Sequence, residues 1–210
     1  LIKDFMMGHS PNRKWMVTTG QGWRGAIASP REYLALAVLA LVGVVVIVRA
    51  FEVPIVYDES YSIQIAHISR NPFIANNHPL NTLWLSLAWL LPFGDAEIGY
   101  RLISVASFFI FGLGVVRLLR PIRSNVVWAA GSLSLLANPL LIEFWSLARG
   151  YALATAAVTW ALVVVTNRSA SFNSPRIPVT SALSAWGLIA FYSNFSTLFL
   201  VLGAWLVMSR

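Results

Sequence analysis

The sequence predicts an all-α integral membrane protein with about six transmembrane helices. Of its 210 residues 58% are hydrophobic and only 11% are charged, whereas a soluble domain carries about 25% charged residues. Long stretches contain no charge at all, as in residues 33–48. Because a hydrocarbon core about 30 Å thick needs roughly 20 apolar residues per helix, a chain of this length has room for about six spans and their loops.

Two further features of the composition exclude whole classes of function. The net charge is +7, but the arginines and lysines lie between apolar runs, as topology signals do. We therefore expect no nucleic-acid partner. The chain has no cysteine, which excludes disulfides, thiolate metal sites and thiol catalysis.

The order of polar and apolar segments divides the chain. Residues 1–32 are polar and basic and are predicted to be a cytoplasmic tail, and residues 33–210 are predicted to form the transmembrane module. Asn138-Pro139 is expected to break the third span near its end. The predicted spans are residues 33–50, 102–119, 125–142, 151–166, 179–193 and 195–209.

Residues 52–99 form a long first loop that is predicted to have structure of its own. Asp58 is a plausible N-cap for a short helix, which Asn71-Pro72 would stop. The apolar segment 80–93 covers about 21 Å as a helix, less than the hydrocarbon thickness. It is therefore expected to be a re-entrant or interfacial helix.

The basic residues favour this topology. If segment 80–93 does not cross, eleven basic residues lie on the side of the tail and three on the other side, leaving Arg49 aside. If it crosses, each side has seven. The positive-inside rule favours the first arrangement, with the N-terminus in the cytoplasm and the first loop outside.

The candidate chemistry centres on two adjacent carboxylates, Asp58 and Glu59, in a chain with only eight acidic residues. At the outer face a carboxylate can act as a general base on a hydroxyl or bind a divalent metal. Arg149 can bind a phosphate through its planar fork, and His78 can donate to the same phosphate. This combination suits group transfer from a lipid phosphate donor at the membrane interface.

Each of these residues also has a purely structural interpretation. An acid at the start of a helix is more often a cap than a catalyst. Arg149 at a membrane edge is commonly an interfacial anchor or an ion-pair partner, here for Glu143. Arg101, at the start of the second span, is expected from its position alone to be a structural interfacial charge.

Five short motifs, in this order, resemble the N-terminal half of GT-C glycosyltransferases, in the branch of protein O-mannosyltransferases and lipid A aminoarabinose transferases. The resemblance covers residues 33–166 and implies the N-terminal module of that fold. It implies that Asp58 is the catalytic carboxylate with Glu59 as its neighbour, and that His78, Arg149, Tyr151 and Arg101 bind substrate. The motifs are Tyr57-Asp58-Glu59-Ser60-Tyr61, His78-Pro79-Leu80, Tyr100-Arg101-Leu102-Ile103-Ser104, Asn138-Pro139-Leu140 and Ala148-Arg149-Gly150-Tyr151.

The resemblance implies a transferase that moves a sugar from a polyprenyl-phosphate donor to an extracytoplasmic acceptor. The step would be an inverting displacement with Asp58 as base, in a bacterial inner (plasma) membrane. No cofactor is implied with certainty, although a divalent metal is compatible, and the expected partners are the lipid-linked donor, membrane lipids and other membrane subunits. Members of this family are longer and carry two prolines where this chain has Pro79-Leu80. The sequence is therefore expected to be either part of a longer enzyme or a shortened protein that cannot close the active site alone. The alternative function is a non-catalytic subunit that packs in a larger membrane complex. A small transporter or channel is less favoured, because the predicted spans contain almost no ionisable residues.

Overall fold

A computed structural model describes residues 29–69, 78–92, 96–168 and 179–194. Within these ranges every regular element is a helix and there is no strand, which confirms the all-α prediction. A π-helical turn, Ile65–Ser69, directly follows the second helix. The helices are α1 (Pro30–Glu52), α2 (Tyr57–Gln64), α3 (Pro79–Ala88), α4 (Glu97–Leu119), α5 (Asn125–Leu136), α6 (Pro139–Ser146), α7 (Tyr151–Arg168) and α8 (Val179–Ser193).

Among the described residues, three helical segments are long and apolar enough to cross a membrane, so the chain is a membrane protein. They are α1, α4, and α5 together with α6 as Asn125–Ser146. Helix α7 has a shorter apolar stretch, Tyr151–Thr166. The last predicted span, residues 195–209, lies outside the described residues, and the total of six spans stays a prediction.

Helix α1 begins at Pro30, earlier than the predicted boundary at residue 33. The Ser29 hydroxyl accepts the N–H of Glu32 at 3.3 Å, and the Glu32 carboxylate accepts the N–H of Ser29 at 2.9 Å. This is a capping box, and a proline is favoured at the first helical position because its missing N–H would have no helical partner. Ser29-Pro30-Arg31-Glu32 is therefore the start of α1. The prediction placed these residues in the tail because they are polar.

Helix α4 lies at the centre of the bundle and packs against α1, α3, α5, α6 and α7. Phe108 and Phe111 on α4 hold the ring of Trp145 on α6, with ring centroids 4.9 and 4.7 Å apart. Close approach of α1 to α4 depends on Gly112, where an added Cβ would lie 2.1 Å from the side chain of Leu39. Small residues have this role in membrane helix pairs.

The third predicted span is broken as the sequence indicated. Helix α5 ends at Leu136, and α6 begins at Pro139. The side chain of Asn138 accepts the N–H of Leu140 at 3.0 Å and caps the second segment. Glu143, in the middle of α6, forms an ion pair with Arg49 of α1.

The two ends of the bundle carry different charges. At one end α1 and α6 finish and α4 and α7 begin; we call it the acidic face, and its acids are Glu52, Asp58, Glu59, Glu97 and Glu143. At the other end α1 and α5 begin and α4 finishes; we call it the basic face, and its arginines include Arg31, Arg117, Arg120 and Arg123.

The described part of the first loop stays at the acidic face. The guanidinium of Arg101, at the start of α4, donates to the carbonyl of Ala50, at the end of α1, at 2.9 Å. The chain therefore leaves α1 and enters α4 at the same face. The helix predicted at 80–93 is α3, Pro79–Ala88, and its ten residues cover about 15 Å. It is too short to span the hydrocarbon core.

Candidate functional site

The two adjacent acids lie in the first turn of α2, and their roles differ from the prediction. The helix begins at Tyr57, so Asp58 is not its N-cap. Glu59 supplies the cap instead, because its Oε2 accepts the N–H of Val56 at 3.1 Å. A glutamate at the third helical position can reach back to the residue before the helix, and this leaves the Asp58 carboxylate available for another partner.

Glu59 forms a buried ion pair with Arg101. Both side chains are only 1% exposed. The contact is bidentate: Nε of Arg101 donates to Oε1 of Glu59 at 2.9 Å, and Nη2 donates to Oε2 at 2.7 Å. Paired planar groups of this kind combine strong charge-assisted hydrogen bonds with a defined orientation.

Backbone groups complete the hydrogen bonding of this pair. Arg101 also donates to the carbonyls of Ala50, Val53 and Pro54, at 2.9, 2.6 and 3.2 Å, so all five of its N–H donors are used. Oε1 of Glu59 also accepts the N–H of Ala148 at 2.6 Å. The pair therefore joins the end of α1, the start of α2, the start of α4 and the link from α6 to α7.

The environment of Glu59 keeps its carboxylate ionised. Burial by itself raises the pKa of Glu59. The hydrogen bond from Arg101, those from the backbone N–H groups of Ala148 and Val56, and the arginine charge together outweigh burial and hold the pKa below its ordinary value of 4.5. The ionised carboxylate of Glu59 is thus the form that stabilises the fold.

Asp58 forms the second ion pair, with Arg149. Its Oδ2 lies 3.0 Å from Nη2 of Arg149, and the two side chains are 62% and 24% exposed. The pairing follows from the first pair: Glu59 binds the N–H of Ala148, and Arg149 is the next residue. Two consecutive acids thus contact two consecutive residues of the α6–α7 link.

Part of Arg149 is not used by this pair. Its Nε is buried, and no described residue accepts a hydrogen bond from it. Because this Nε is enclosed by protein, an anion can reach Arg149 only through its Nη groups, one of which pairs with Asp58.

His78 and Tyr151 lie beside Arg149. Their rings meet edge to face with centroids 4.9 Å apart, and Tyr151 stacks on Phe144 at 5.0 Å. Burial lowers the pKa of His78, the hydrogen bond to the carbonyl of Ser193 raises it, and the charge of Arg149 lowers it, with a net decrease from the ordinary 6.5. The imidazole is therefore neutral at neutral pH.

Gly150 makes this arrangement sterically feasible. A Cβ added there would lie 2.2 Å from the carbonyl oxygen of Ser193 and 2.4 Å from Cβ of His78. The start of α3, the start of α7 and the end of α8 meet around this one residue. Our sequence reasoning gave no role to Gly150 or Ser193, although a glycine between Arg149 and Tyr151 at a helix start was an available signal.

The structure thus separates the six predicted site residues into two groups. Asp58, Arg149, His78 and Tyr151 come together near the surface of the acidic face, and Glu59 and Arg101 lie buried beneath them. The ion pair with Glu143, one of the structural alternatives for Arg149, is not formed, because Glu143 pairs with Arg49 of α1. In the described ranges no three His, Asp or Glu side chains are grouped as a metal site.

No protein-family model matches the chain, and no curated protein or solved structure is significantly similar to it. Membership of the GT-C superfamily therefore stays a prediction from the order of the motifs.

Proposed function

We propose that the chain carries the active-site face of a membrane glycosyltransferase that uses a polyprenyl-phosphate sugar and an extracytoplasmic acceptor. The observation that supports this best is the accessible Asp58–Arg149 pair, held in place by the buried Glu59–Arg101 pair one residue away. A carboxylate and a guanidinium side by side supply the two groups that the reaction needs, a base for a hydroxyl and a ligand for a phosphate.

In the proposed reaction Asp58 accepts the proton of the acceptor hydroxyl as its oxygen attacks the anomeric carbon. The carbon–oxygen bond to the phosphate breaks on the opposite side, so the sugar carbon inverts and polyprenyl phosphate leaves. Arg149 binds the phosphate and stabilises its charge. Phosphate binding at Arg149 would release Asp58 from its ion pair, so the base would become available only when the donor is bound.

His78 has a positioning role in this proposal. A neutral imidazole has a single N–H, and the ring is hydrogen-bonded to the carbonyl of Ser193. His78 therefore holds the start of α3 against α8, beside Arg149. This replaces the direct phosphate contact that the resemblance implied for His78.

The proposal is tested with Asp58→Asn in membrane vesicles. The assay is the release of polyprenyl phosphate from a set of radiolabelled polyprenyl-phosphate sugars, with a mixture of acceptors. Loss of a general base should slow release by about 10²- to 10⁴-fold. The matched control is Glu52→Gln, an exposed acid of the same face, which should leave the rate unchanged. Unchanged release in Asp58→Asn would overturn the proposed role of Asp58.

One observation favours the second candidate, a non-catalytic subunit of a larger membrane complex. Asp58 and Arg149 neutralise each other at 3.0 Å, as they would in a purely structural contact. This function predicts no phosphate release from any donor by the wild-type protein. It also predicts stoichiometric co-purification with another membrane protein.

A further inference from the structure

The basic face contains an open cavity of about 590 Å³, far from Asp58. It lies between the start of α1 and the link from α4 to α5. The described residues that line it include three arginines, Arg31, Arg120 and Arg123, one acid, Glu32, and Trp128. The excess of positive charge makes it a receptor for an anion.

Two of the arginines are held in position. Nη1 of Arg31 donates to the carbonyls of Ile122 and Arg123 at 3.3 and 3.1 Å. Nε of Arg120 lies 3.0 Å from Oε1 of Glu32. The donors of these side chains are therefore ordered before a ligand arrives, which lowers the entropic cost of binding.

The guanidinium of Arg123 has no hydrogen bond to any residue in the described ranges, and it is exposed. The Nε and Nη2 groups of Arg31 likewise make no bond to described residues. The positive ends of the α1 and α5 dipoles lie at the same place. The cavity thus contains unused guanidinium donors of Arg31 and Arg123 and lies near two helix N-termini, so it offers more positive charge than the described residues neutralise.

The surroundings of the cavity indicate an anion that carries hydrocarbon chains. Tyr33 and Leu34 follow the lining residues of α1 and are each 58% exposed, and Val126 and Val127 of α5 are 79% and 55% exposed. These apolar side chains lie where the apolar spans begin. In a membrane crossed by α1 and α5, the cavity would therefore open near the level where phospholipid headgroups meet the hydrocarbon core.

We propose that this cavity binds the phosphate group of an anionic phospholipid, with its acyl chains along α1 and α5. Basic pockets between transmembrane helices bind acidic headgroups in this way. The proposal does not depend on the transferase activity, because the cavity lies at the opposite face from Asp58.

The test uses the whole chain in vesicles of phosphatidylcholine with a minor fraction of phosphatidylglycerol. After extraction, native mass spectrometry counts the phosphatidylglycerol retained per protein. Arg123→Gln should lower retention about fivefold, the equivalent of about 1 kcal/mol per basic residue. Arg31→Gln combined with Arg123→Gln should lower it further. Arg123→Gln is the primary variant because it removes no described contact of the fold.

The matched control is Arg117→Gln, which makes the same change of charge on the basic face but not in the cavity. It should leave retention within twofold of the wild type. An equal loss in Arg117→Gln and Arg123→Gln would mean diffuse attraction, and no loss in Arg123→Gln would mean no site; each result overturns the proposal. Binding of inorganic phosphate that depends on Arg123, with no phosphatidylglycerol retained by the wild type, would assign the cavity to a free anion and also overturn the proposal.

Discussion

Two ion pairs of the acidic face begin one residue apart in the chain, yet they are opposite in character. Glu59 and Arg101 are both 1% exposed, whereas Asp58 and Arg149 are 62% and 24% exposed. The first pair has every polar atom hydrogen-bonded in the interior. The second is screened by solvent and remains open to exchange partners.

The comparison assigns a structural role to the buried pair and leaves the exposed pair available for a reaction. A buried pair is costly to break because the remaining charge has no partner, so Glu59 and Arg101 hold the local fold. An exposed pair contributes little to stability, so Asp58 can lose Arg149 during a reaction without loosening the fold. The following expectations test this division, from the largest expected effect to the smallest.

The largest effect is expected from Arg101→Gln. It leaves the Glu59 carboxylate buried without its cation and removes hydrogen bonds to α1. We expect the free energy of unfolding in detergent to fall by about 3–5 kcal/mol, measured by denaturant titration. Arg117→Gln, an exposed arginine of the same helix, is the control and should change it by less than about 0.5 kcal/mol. A similar small change in Arg101→Gln would contradict the anchoring role.

Gly150→Ala should have the next largest effect on the free energy of unfolding. Gly150 directly follows Arg149 of the exposed pair. The new methyl group would overlap the backbone carbonyl of Ser193, 2.2 Å away, which cannot rotate aside. Overpacking of this kind costs about 1–3 kcal/mol, and the shift of Arg149 should also slow phosphate release. In the control Gly131→Ala the nearest atom is a Leu119 methyl at 3.3 Å, and α5 should keep or gain stability. Unchanged stability and activity in Gly150→Ala would show that the three helices do not meet as described.

Acidification should distinguish the two acids. Since the pKa of Glu59 is lowered in the folded state, its stabilisation is fully present above its ordinary value of 4.5 and is lost as the pH falls through the folded value. We expect the thermal midpoint to drop below that pH in the wild type and in Asp58→Asn. The Glu59→Gln variant should have a lower thermal midpoint at neutral pH, and its midpoint should fall less on acidification because it has no carboxylate at this position to protonate. The reverse pattern would mean that Asp58 is the anchoring acid.

The smallest effect on stability is expected from Asp58→Asn. Loss of an exposed ion pair should change the free energy of unfolding by less than about 1 kcal/mol, while phosphate release falls steeply. Glu143→Gln breaks another exposed pair of the acidic face, with Arg49. It should lower the free energy of unfolding as little as Asp58→Asn does and leave phosphate release normal. If Asp58→Asn destabilises the protein as much as Arg101→Gln, the two pairs act as one structural unit.

Much of this organisation was readable before the structure. Apolar run lengths predicted the three membrane-length segments α1, α4 and α5 with α6, and Asn138-Pro139 predicted the break between α5 and α6. The scarcity of acids singled out Asp58 and Glu59, and the motif order singled out Arg149 and its neighbours. The polar residues Ser29 to Glu32, which the sequence assigns to the tail, form the capping box of α1; their spacing, rather than their polarity, is the signal of a helix start.

The sequence by itself determined the all-helical membrane class and the residues that could carry chemistry, because length, hydropathy and charge are properties of local segments. Only the tertiary structure decided which acid is buried and which partner each arginine takes. Successive residues of a helix point about 100° apart, so one acid of an adjacent pair faces the bundle and the other faces away. Glu59 is the buried acid because α4 and the α6–α7 link lie on its side of α2. These contacts come from segments 42 and 89 residues away in the chain, so the local sequence does not determine them.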